Sequence, residues 1–318
     1  MYSEVKAYLG ENWQQFERLF ADRLESGIPI LNKVNAYILE RNGKQLRPAL
    51  CMLAALLCAD ECSGASVCCA VASEMIHTAT LLHDDVADDS DTRRGSPTVS
   101  ALISPKASVL VGDYWLARGV MSLLDSCGED TFRDFASCLD DLARGEMLQI
   151  EKAASLDTTF DDYISIISCK TASLFRAAMK CGARNSGASE AQVAAIDAFA
   201  LHLGLAFQMR DDILDYSPSL AIGKPTGVDI RERKITLPLL GAFENAGAEA
   251  RAELLGDVDN DRFDGVMGFV AENGGIEYAQ AVLVRETALA VASLADFADS
   301  EAKDLLVRLA QSLCLREA

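Results

Sequence analysis

The sequence predicts an all-α protein, a single-domain helical bundle over residues 1–318. Three observations predict it. Half of the chain is hydrophobic but only 7% is aromatic, the balance of Ala/Leu-rich helix packing. β-branched runs with period-two alternation are scarce, and only seven prolines interrupt the chain. Turn punctuation recurs at helix-length intervals: Gly43, Gly64, Gly95-Ser96-Pro97, Gly128, Asn185-Ser186-Gly187, Ser217-Pro218 and Gly274-Gly275. No linker, low-complexity tract or charge block marks an internal boundary.

Between these breaks, helices are expected over 12–38, 43–60, 65–88, 98–124, 130–152, 160–182, 189–216 and 234–245, with several more to 315. The first twenty residues are amphipathic and acidic, without the basic start and apolar core of a signal peptide. Pro48 and Pro238 suit first turns, where the missing N–H costs nothing. The segments 65–88 and 189–216 are apolar runs that each end in aspartates. The stretch 217–233 is the longest non-helical one between helices. It carries Lys224, Gly227 and Asp229, and a lid suits it better than a passive connection.

The aspartates carry the chemistry. Asp84, Asp85 and Asp88 form one Asp-Asp-x-x-Asp cluster, and Asp211, Asp212 and Asp215 form the other. On a helix, the i,i+4 pairs Asp84/Asp88 and Asp211/Asp215 share a face about 6 Å apart along the axis, where like charges repel. A hard divalent cation removes that repulsion. Mg2+ takes oxygen ligands, keeps several waters and bridges one or two carboxylates to phosphate. One cluster alone reads equally as a solvated acidic turn; two of identical spacing, each ending an apolar run, do not. Arg93 and Arg94 follow the first cluster, and Lys224 and Lys234 follow the second. Metal-binding acids beside Arg and Lys suit a diphosphate, which needs cations and charge-assisted donors together.

With 48 acidic against 29 basic residues, the net charge of −19 argues against nucleic-acid binding. No stretch holds the ~20 uninterrupted apolar residues of a membrane span, so no stable membrane insertion and a cytoplasmic location are expected. Cys51, Cys58, Cys62, Cys68 and Cys69 lie in apolar, helix-like sequence without CxxC pairs. Small buried hydrophobes describe them better than disulfides or a zinc site.

From about residue 40 to 240 the sequence resembles the trans (E-type) isoprenyl diphosphate synthases. The matching blocks, in the family's order, are GKQLRP (43–48), LLHDDVADDSDTRRG (81–95), LVGDYWLARG (110–119), GEMLQ (145–149), KTASLF (170–175), FQMRDDILDY (207–216) and GKPTGVDIRERKITLP (223–238). Gln45 departs from the basic residue many members carry and leaves Lys44 and Arg47 in place. The resemblance implies a helical bundle with a deep central cavity and the two aspartate clusters facing each other at its mouth. It implies head-to-tail prenyl transfer. An allylic diphosphate (farnesyl or geranyl) ionises, the double bond of isopentenyl diphosphate attacks the carbocation, and a proton is lost.

The resemblance assigns all six aspartates to Mg2+, three ions per active site. It assigns Arg93, Lys170, Thr171, Gln208, Lys224 and Lys234 to the allylic diphosphate, and Lys44, Arg47, His77 and Arg94 to isopentenyl diphosphate. For His77, one stripe before Asp84, both a satisfied core histidine and a ligand contact fit the helix geometry. His83 and His202 suit packing or structural hydrogen bonds. A homodimer is also implied. A medium or long all-E polyprenyl diphosphate is the favoured product, with geranylgeranyl or farnesyl diphosphate synthase as the alternative. More distant are a class I terpene cyclase, which would not need Lys44 and Arg47, and a non-catalytic subunit, which would not need both clusters.

The resemblance implies that product length turns on the positions four and five before the first Asp, where short-chain members carry bulky aromatics. Here these are Thr80 and Ala79, both small. Phe135 is the candidate floor of the tunnel, with Met121 and Phe132 as rivals. Ala79→Phe and Thr80→Phe should therefore shorten the product, because overfilling a packed interior costs about 1–3 kcal/mol. Phe135→Ala should lengthen it. Chromatographic sizing of the products checks this, and unchanged lengths in both the Ala79 and Thr80 variants would show that neither position sets the product.

Overall fold

The computed structural model describes residues 1–41, 43–216, 227–259, 263 and 265–315. The chain opens with α1 (Tyr2–Leu24), α2 (Pro29–Glu40), α3 (Leu46–Cys58) and α4 (Gly64–Ala87). A two-residue antiparallel ribbon follows, β1 (Thr92–Arg93) against β2 (Ser96–Pro97), then α5 (Val99–Leu102), α6 (Pro105–Ser126) and α7 (Glu129–Ser155). Helix α8 (Phe160–Ile167) passes through a π-helical turn, Ser168–Ala172, into α9 (Ser173–Arg184), and α10 (Glu190–Asp215) follows. The remaining helices are α11 (Val228–Arg231), α12 (Leu237–Ala246), α13 (Ala248–Asp259), α14 (Val266–Glu272), α15 (Gly275–Ser293) and α16 (Glu301–Leu315). The all-α class is observed, and most expected helices stand within a few residues of their predicted bounds.

Three expected helices are broken, each for a local reason. The segment 12–38 is α1 and α2, because Pro29 starts a helix and holds Ile28 in the extended region at φ −108°, ψ 110°. The segment 98–124 divides before Pro105, where Ser104 Oγ accepts the Ala107 N–H at 3.1 Å and caps α6. The segment 160–182 contains the π turn Ser168–Ala172, which carries Lys170 and Thr171.

The chain forms two compact units. The first comprises Met1–Ala136, Ala177–Ile196 and Asp299–Leu305. Its centre is α4 packed along α6, and small residues let the two backbones approach. Gly112 lies under the His83 ring, and a side chain at Gly119 would stand 3.3 Å from Met75 Cβ. Trp13, Phe16 and Phe20 of α1 continue the core to Trp115 of α6, with ring centroids 5.0–5.6 Å apart. Trp115 Nε1 donates to Asn35 Oδ1 at 2.9 Å, and Asn35 Nδ2 donates to the Leu24 carbonyl at 2.8 Å, so the buried amide of α2 is satisfied. By length and composition α4 and α10 could cross a membrane, but 78% and 50% of their apolar windows are buried inside the protein, as in core helices.

The second unit comprises Ser137–Arg176, Asp197–Ala298 and Leu306–Ala318. Here α12 packs on α15, with Gly241 against the Tyr278 ring. Two further glycines admit the π turn: Gly145 of α7 lies against Cys169 and Lys170, and Gly204 of α10 lies against Ala172. Phe175 and Phe207 pack beside it at 5.5 Å, and Arg176 holds Asp197 through two hydrogen bonds of 2.8 and 2.7 Å.

A Cβ on Gly204 would sit 2.5 Å from Ala172 Cα, so the backbone must move. Gly204→Ala should destabilise the protein by about 1–3 kcal/mol despite alanine's better helix propensity. Urea unfolding measures this, and an unchanged midpoint would contradict the packing described.

Candidate active site

The first aspartate cluster lies at the end of α4 in the first unit. Asp85 is 4% exposed, and its Oδ1 accepts a 2.6 Å hydrogen bond from Arg93 Nε. Asp84 is half-buried and Asp88 exposed. Asp88 caps α4, and its N–H still donates to the Asp84 carbonyl at 2.9 Å, which preserves the i,i+4 spacing.

Arg93 is delivered by the ribbon, in which Arg93 pairs with Ser96 and Thr92 with Pro97. Arg94 and Gly95 form its tip, with φ of +52° and +75°. Positive φ at both central residues is what a tight type I′ hairpin demands. Glycine meets this without strain, whereas Arg94 accepts a conformation that L side chains rarely adopt. The Arg94 guanidinium then lies directly against Gly43, where any Cβ would overlap it. Two sequence blocks fifty residues apart thus meet at one contact.

A cavity beside this contact is lined by Tyr37 of α2, Arg41 at its C-cap, Gly43, Glu74 and His77 of α4, Arg93 and Arg94. Burial, then Arg47, Arg94 and Arg93, hold the His77 imidazole well below its usual range, so it is neutral at pH 7. Glu74 is 5% exposed, and burial pushes its carboxyl up to about 7 against the pull of Arg47, Arg94 and Lys6. Arg47 is half-buried and Lys44 exposed. The structure therefore places His77 among arginines rather than in an apolar core. His83 instead turns toward α6, 3.3 Å from the Val109 carbonyl and 3.4 Å from Asp113 Oδ1.

The second unit holds the other cluster. Asp212 is 3% exposed, and both of its oxygens accept: Oδ2 from Tyr163 OH at 2.6 Å and Oδ1 from Gln208 Nε2 at 2.9 Å. Burial and then Asp229 push the Asp212 carboxyl up, with Tyr163 and Gln208 opposing. Gln208 Oε1 accepts from Thr171 Oγ1 at 2.8 Å, and Lys170 Nζ donates to Gln149 Oε1 at 3.0 Å and pairs with Glu146. Gln149, Tyr163, Lys170, Thr171, Gln208 and Asp212 line one cavity together with Lys152, Asp229 and Lys234, and Lys234 pairs with Glu232. Asp211 is exposed and Asp215 half-buried. Asp215 accepts from the Val228 and Asp229 N–H groups, each at 3.1 Å, and so anchors the start of α11. His202 lies elsewhere, 2.7 Å from Glu286. Lys224 lies outside the described residues.

Both clusters share a design: the middle aspartate is buried and hydrogen-bonded to a side chain outside the cluster, and the outer pair lies nearer solvent. Among the described residues no three His, Cys, Asp or Glu side chains converge as a closed metal cage. Paired carboxylates of this kind fit Mg2+, which relies on water and phosphate for the rest of its shell. Of the product-length candidates, Ala79 and Phe135 are each 1% exposed and Thr80 is half-buried. Met121 is 48% exposed, which does not suit a tunnel floor. Sequence reasoning assigned no role to Glu74, Gln149 or Tyr163. Glu74 was signalled by its place as the one acid within VASEMIHTAT, and Gln149 by its place in GEMLQ.

A family model described as polyprenyl synthetase matches residues 28–265. The all-trans-nonaprenyl-diphosphate synthase (geranyl-diphosphate specific) of Rhodobacter capsulatus is 34% identical over 96% of this chain and 95% of its own length. The octaprenyl diphosphate synthase of Haemophilus influenzae is 34% identical over 96% of this chain and 94% of its own. Among solved structures, a decaprenyl diphosphate synthase from Rhodobacter capsulatus superposes with a TM-score of 0.93 at 37% identity, covering 100% of both chains. A polyprenyl synthase from Caulobacter crescentus, complexed with calcium and isoprenyl diphosphate, gives 0.91 at 32% identity over 100% of this chain and 98% of its own. The chain belongs to the polyprenyl synthetase family and is a prenyltransferase.

Gly43→Ala tests the contact with Arg94. The backbone of Gly43 tolerates alanine, but the guanidinium must leave its position. If Arg94 binds isopentenyl diphosphate, the KM for that substrate should rise roughly tenfold, the loss of about one charge-assisted contact. The KM for the allylic substrate should stay put; an equal rise in both would break the assignment.

Proposed function

We propose that this enzyme condenses an allylic diphosphate, farnesyl or geranyl, with successive isopentenyl diphosphates to give a medium or long all-E polyprenyl diphosphate. The observation that carries the proposal is the doubled arrangement of a buried, bonded aspartate flanked by more exposed carboxylates at i,i+4, each beside a cavity with cationic side chains. Relatives named for octaprenyl, nonaprenyl and decaprenyl products support the longer chain length, as do the small Ala79 and Thr80.

The chain's own groups have defined tasks in this reading. Lys44, Arg47, His77 and Arg94 hold isopentenyl diphosphate, with neutral His77 available for hydrogen bonding. Arg93, Lys170, Thr171, Gln208, Lys224 and Lys234 hold the allylic diphosphate and stabilise the charge that grows on it as the carbon–oxygen bond breaks. Asp84, Asp85, Asp88, Asp211, Asp212 and Asp215 hold Mg2+, three ions per active site, with the buried members fixing the orientation of their clusters. When bound, the metal supplies Lewis-acid neutralisation of the departing diphosphate. No side chain need act as a covalent nucleophile.

The whole chain works as one catalytic domain in the cytoplasm, without a nucleic-acid partner or stable membrane insertion. It pairs as a homodimer. Leu102 of α5, Ile103 at its C-cap, and Leu110, Met121 and Leu124 of α6 are 46–57% exposed, an apolar surface that a second copy would cover.

Asp84→Ala and Asp211→Ala each remove a carboxylate from a different cluster. Each should lower turnover by about 10^3-fold, several kcal/mol in the barrier, and EDTA should abolish activity until Mg2+ is restored. Incubation with farnesyl diphosphate, labelled isopentenyl diphosphate and Mg2+, followed by product sizing, reads both rate and chain length. Near-normal turnover in both variants would end the metal-dependent reading, and products stopping at farnesyl or geranylgeranyl diphosphate would end the long-chain one.

A further inference from the structure

Ten cysteines with free thiols are distributed through the protein, and two of them meet. Cys69, buried on α4, and Cys127, half-buried at the C-cap of α6, place their sulfurs 3.8 Å apart. The hydrogen bonds around them have a direction. Asn185 Nδ2 donates to Cys69 Sγ at 3.6 Å, and the same amide is held by Thr131 Oγ1 and the Cys181 carbonyl, both at 2.8 Å. Cys127 Sγ donates to the Ala65 carbonyl at 3.7 Å, which leaves the Cys69 S–H to point at Cys127 Sγ. Two thiols in van der Waals contact, one screened and one reachable from solvent, form a resolving and an attacking pair.

We propose that Cys69 and Cys127 form a reversible disulfide that ties α4 to the end of α6 when the folded protein meets a peroxide. The Cys127 thiolate attacks the peroxide O–O bond, becoming a sulfenic acid and releasing hydroxide. Cys69, giving its proton to that hydroxide, attacks the sulfenic sulfur and expels a second hydroxide, which takes up the proton released by Cys127. In sum, two thiols and one hydrogen peroxide become one disulfide and two waters. A dithiol reverses the bond by exchange.

Closing the bond brings the sulfurs to about 2.05 Å. Cys127 can supply that movement. It has left the helix, at φ −121° and ψ 158°, and nothing packs within 4 Å of where a side chain on Gly128 would stand. The hydrogen bond from Cys69 lowers the Cys127 thiol against the opposing effect of burial, and raises Cys69, which assigns the first attack to Cys127. The two residues lie 58 positions apart, so the cross-link restrains a long loop of the unfolded chain. Along α4, Cys69 stands about 22 Å from Asp84 at 1.5 Å per residue, well clear of the aspartate cluster.

The test treats the folded, full-length protein with a small excess of hydrogen peroxide, blocks remaining thiols, and maps disulfides by mass spectrometry of the digested chain. The expected result is one linked peptide pair containing Cys69 and Cys127, reversed by dithiothreitol, with the melting temperature raised by about 5 °C while the bond stands. Cys127→Ser, at a half-exposed position, should fold normally and lose both the link and the shift; Cys69→Ala should do the same. A different linked pair, Cys127 driven to sulfinic acid with Cys69 still a thiol, or a link that forms only in urea would each overturn the proposal.

Discussion

Asp85 and Asp212 are almost wholly withdrawn from water, at 4% and 3% exposure, and a buried carboxylate is costly unless its oxygens are satisfied. Much of the local architecture follows from satisfying them. Arg93 reaches Asp85 because the chain turns back within two residues of it, and that turn leaves Arg94 at its tip, against Gly43. Asp212 needs two donors. Gln208 comes from one turn earlier on α10, and Tyr163 comes from α8. One buried carboxyl in each cluster therefore selects the neighbours that also line its cavity.

Irregular backbone appears where those neighbours must be delivered. The type I′ tip holds Arg94 at positive φ, and the π turn carries Lys170 and Thr171. Extra residues in a helical turn shift the side chains that follow around the axis, and such turns occur often at functional sites. A wider turn needs room, and Gly145 and Gly204 provide it from the two helices that face it. Glycines that look like helix weakeners in the sequence are here the condition for close approach. Their propensity cost of about 1 kcal/mol is set against contacts no other residue permits.

The amphipathic helices and the six aspartates were legible because both are repeated signals, periodic in one case and duplicated in the other. The breaks at Pro29 and Pro105 were equally present in the sequence, yet the apolar periodicity on either side outweighed them in the reading. The π turn was not legible, since SCKTA has the composition of ordinary helix and its register shift arises from packing against Gly145 and Gly204. His77 was undecided in the sequence, because helix geometry places it on the cluster's stripe without saying what stands opposite. The structure brings Arg47, Arg93 and Arg94 around it from other parts of the chain. Tyr163 was invisible for the same reason, its partner lying 49 residues away.

A net charge of −19 is a poor field for anionic substrates at long range, and distance resolves the conflict. Exposed charges are largely screened beyond a Debye length of about 8 Å at physiological ionic strength, whereas groups inside a cavity are screened much less. Within the first unit's cavity the local balance is reversed: Arg41, Arg93, Arg94 and nearby Arg47 outnumber Glu74 and Asp85, and His77 is neutral. Concentrating guanidinium groups so closely is itself costly, and Glu74 offsets part of their mutual repulsion while its own burial weakens its charge near pH 7. A carboxyl so placed steadies the arginines, and on the proposed function it gives up its charge most readily once a diphosphate enters. On the proposed function, selectivity for an anionic substrate comes from where a few cations are held rather than from the net charge.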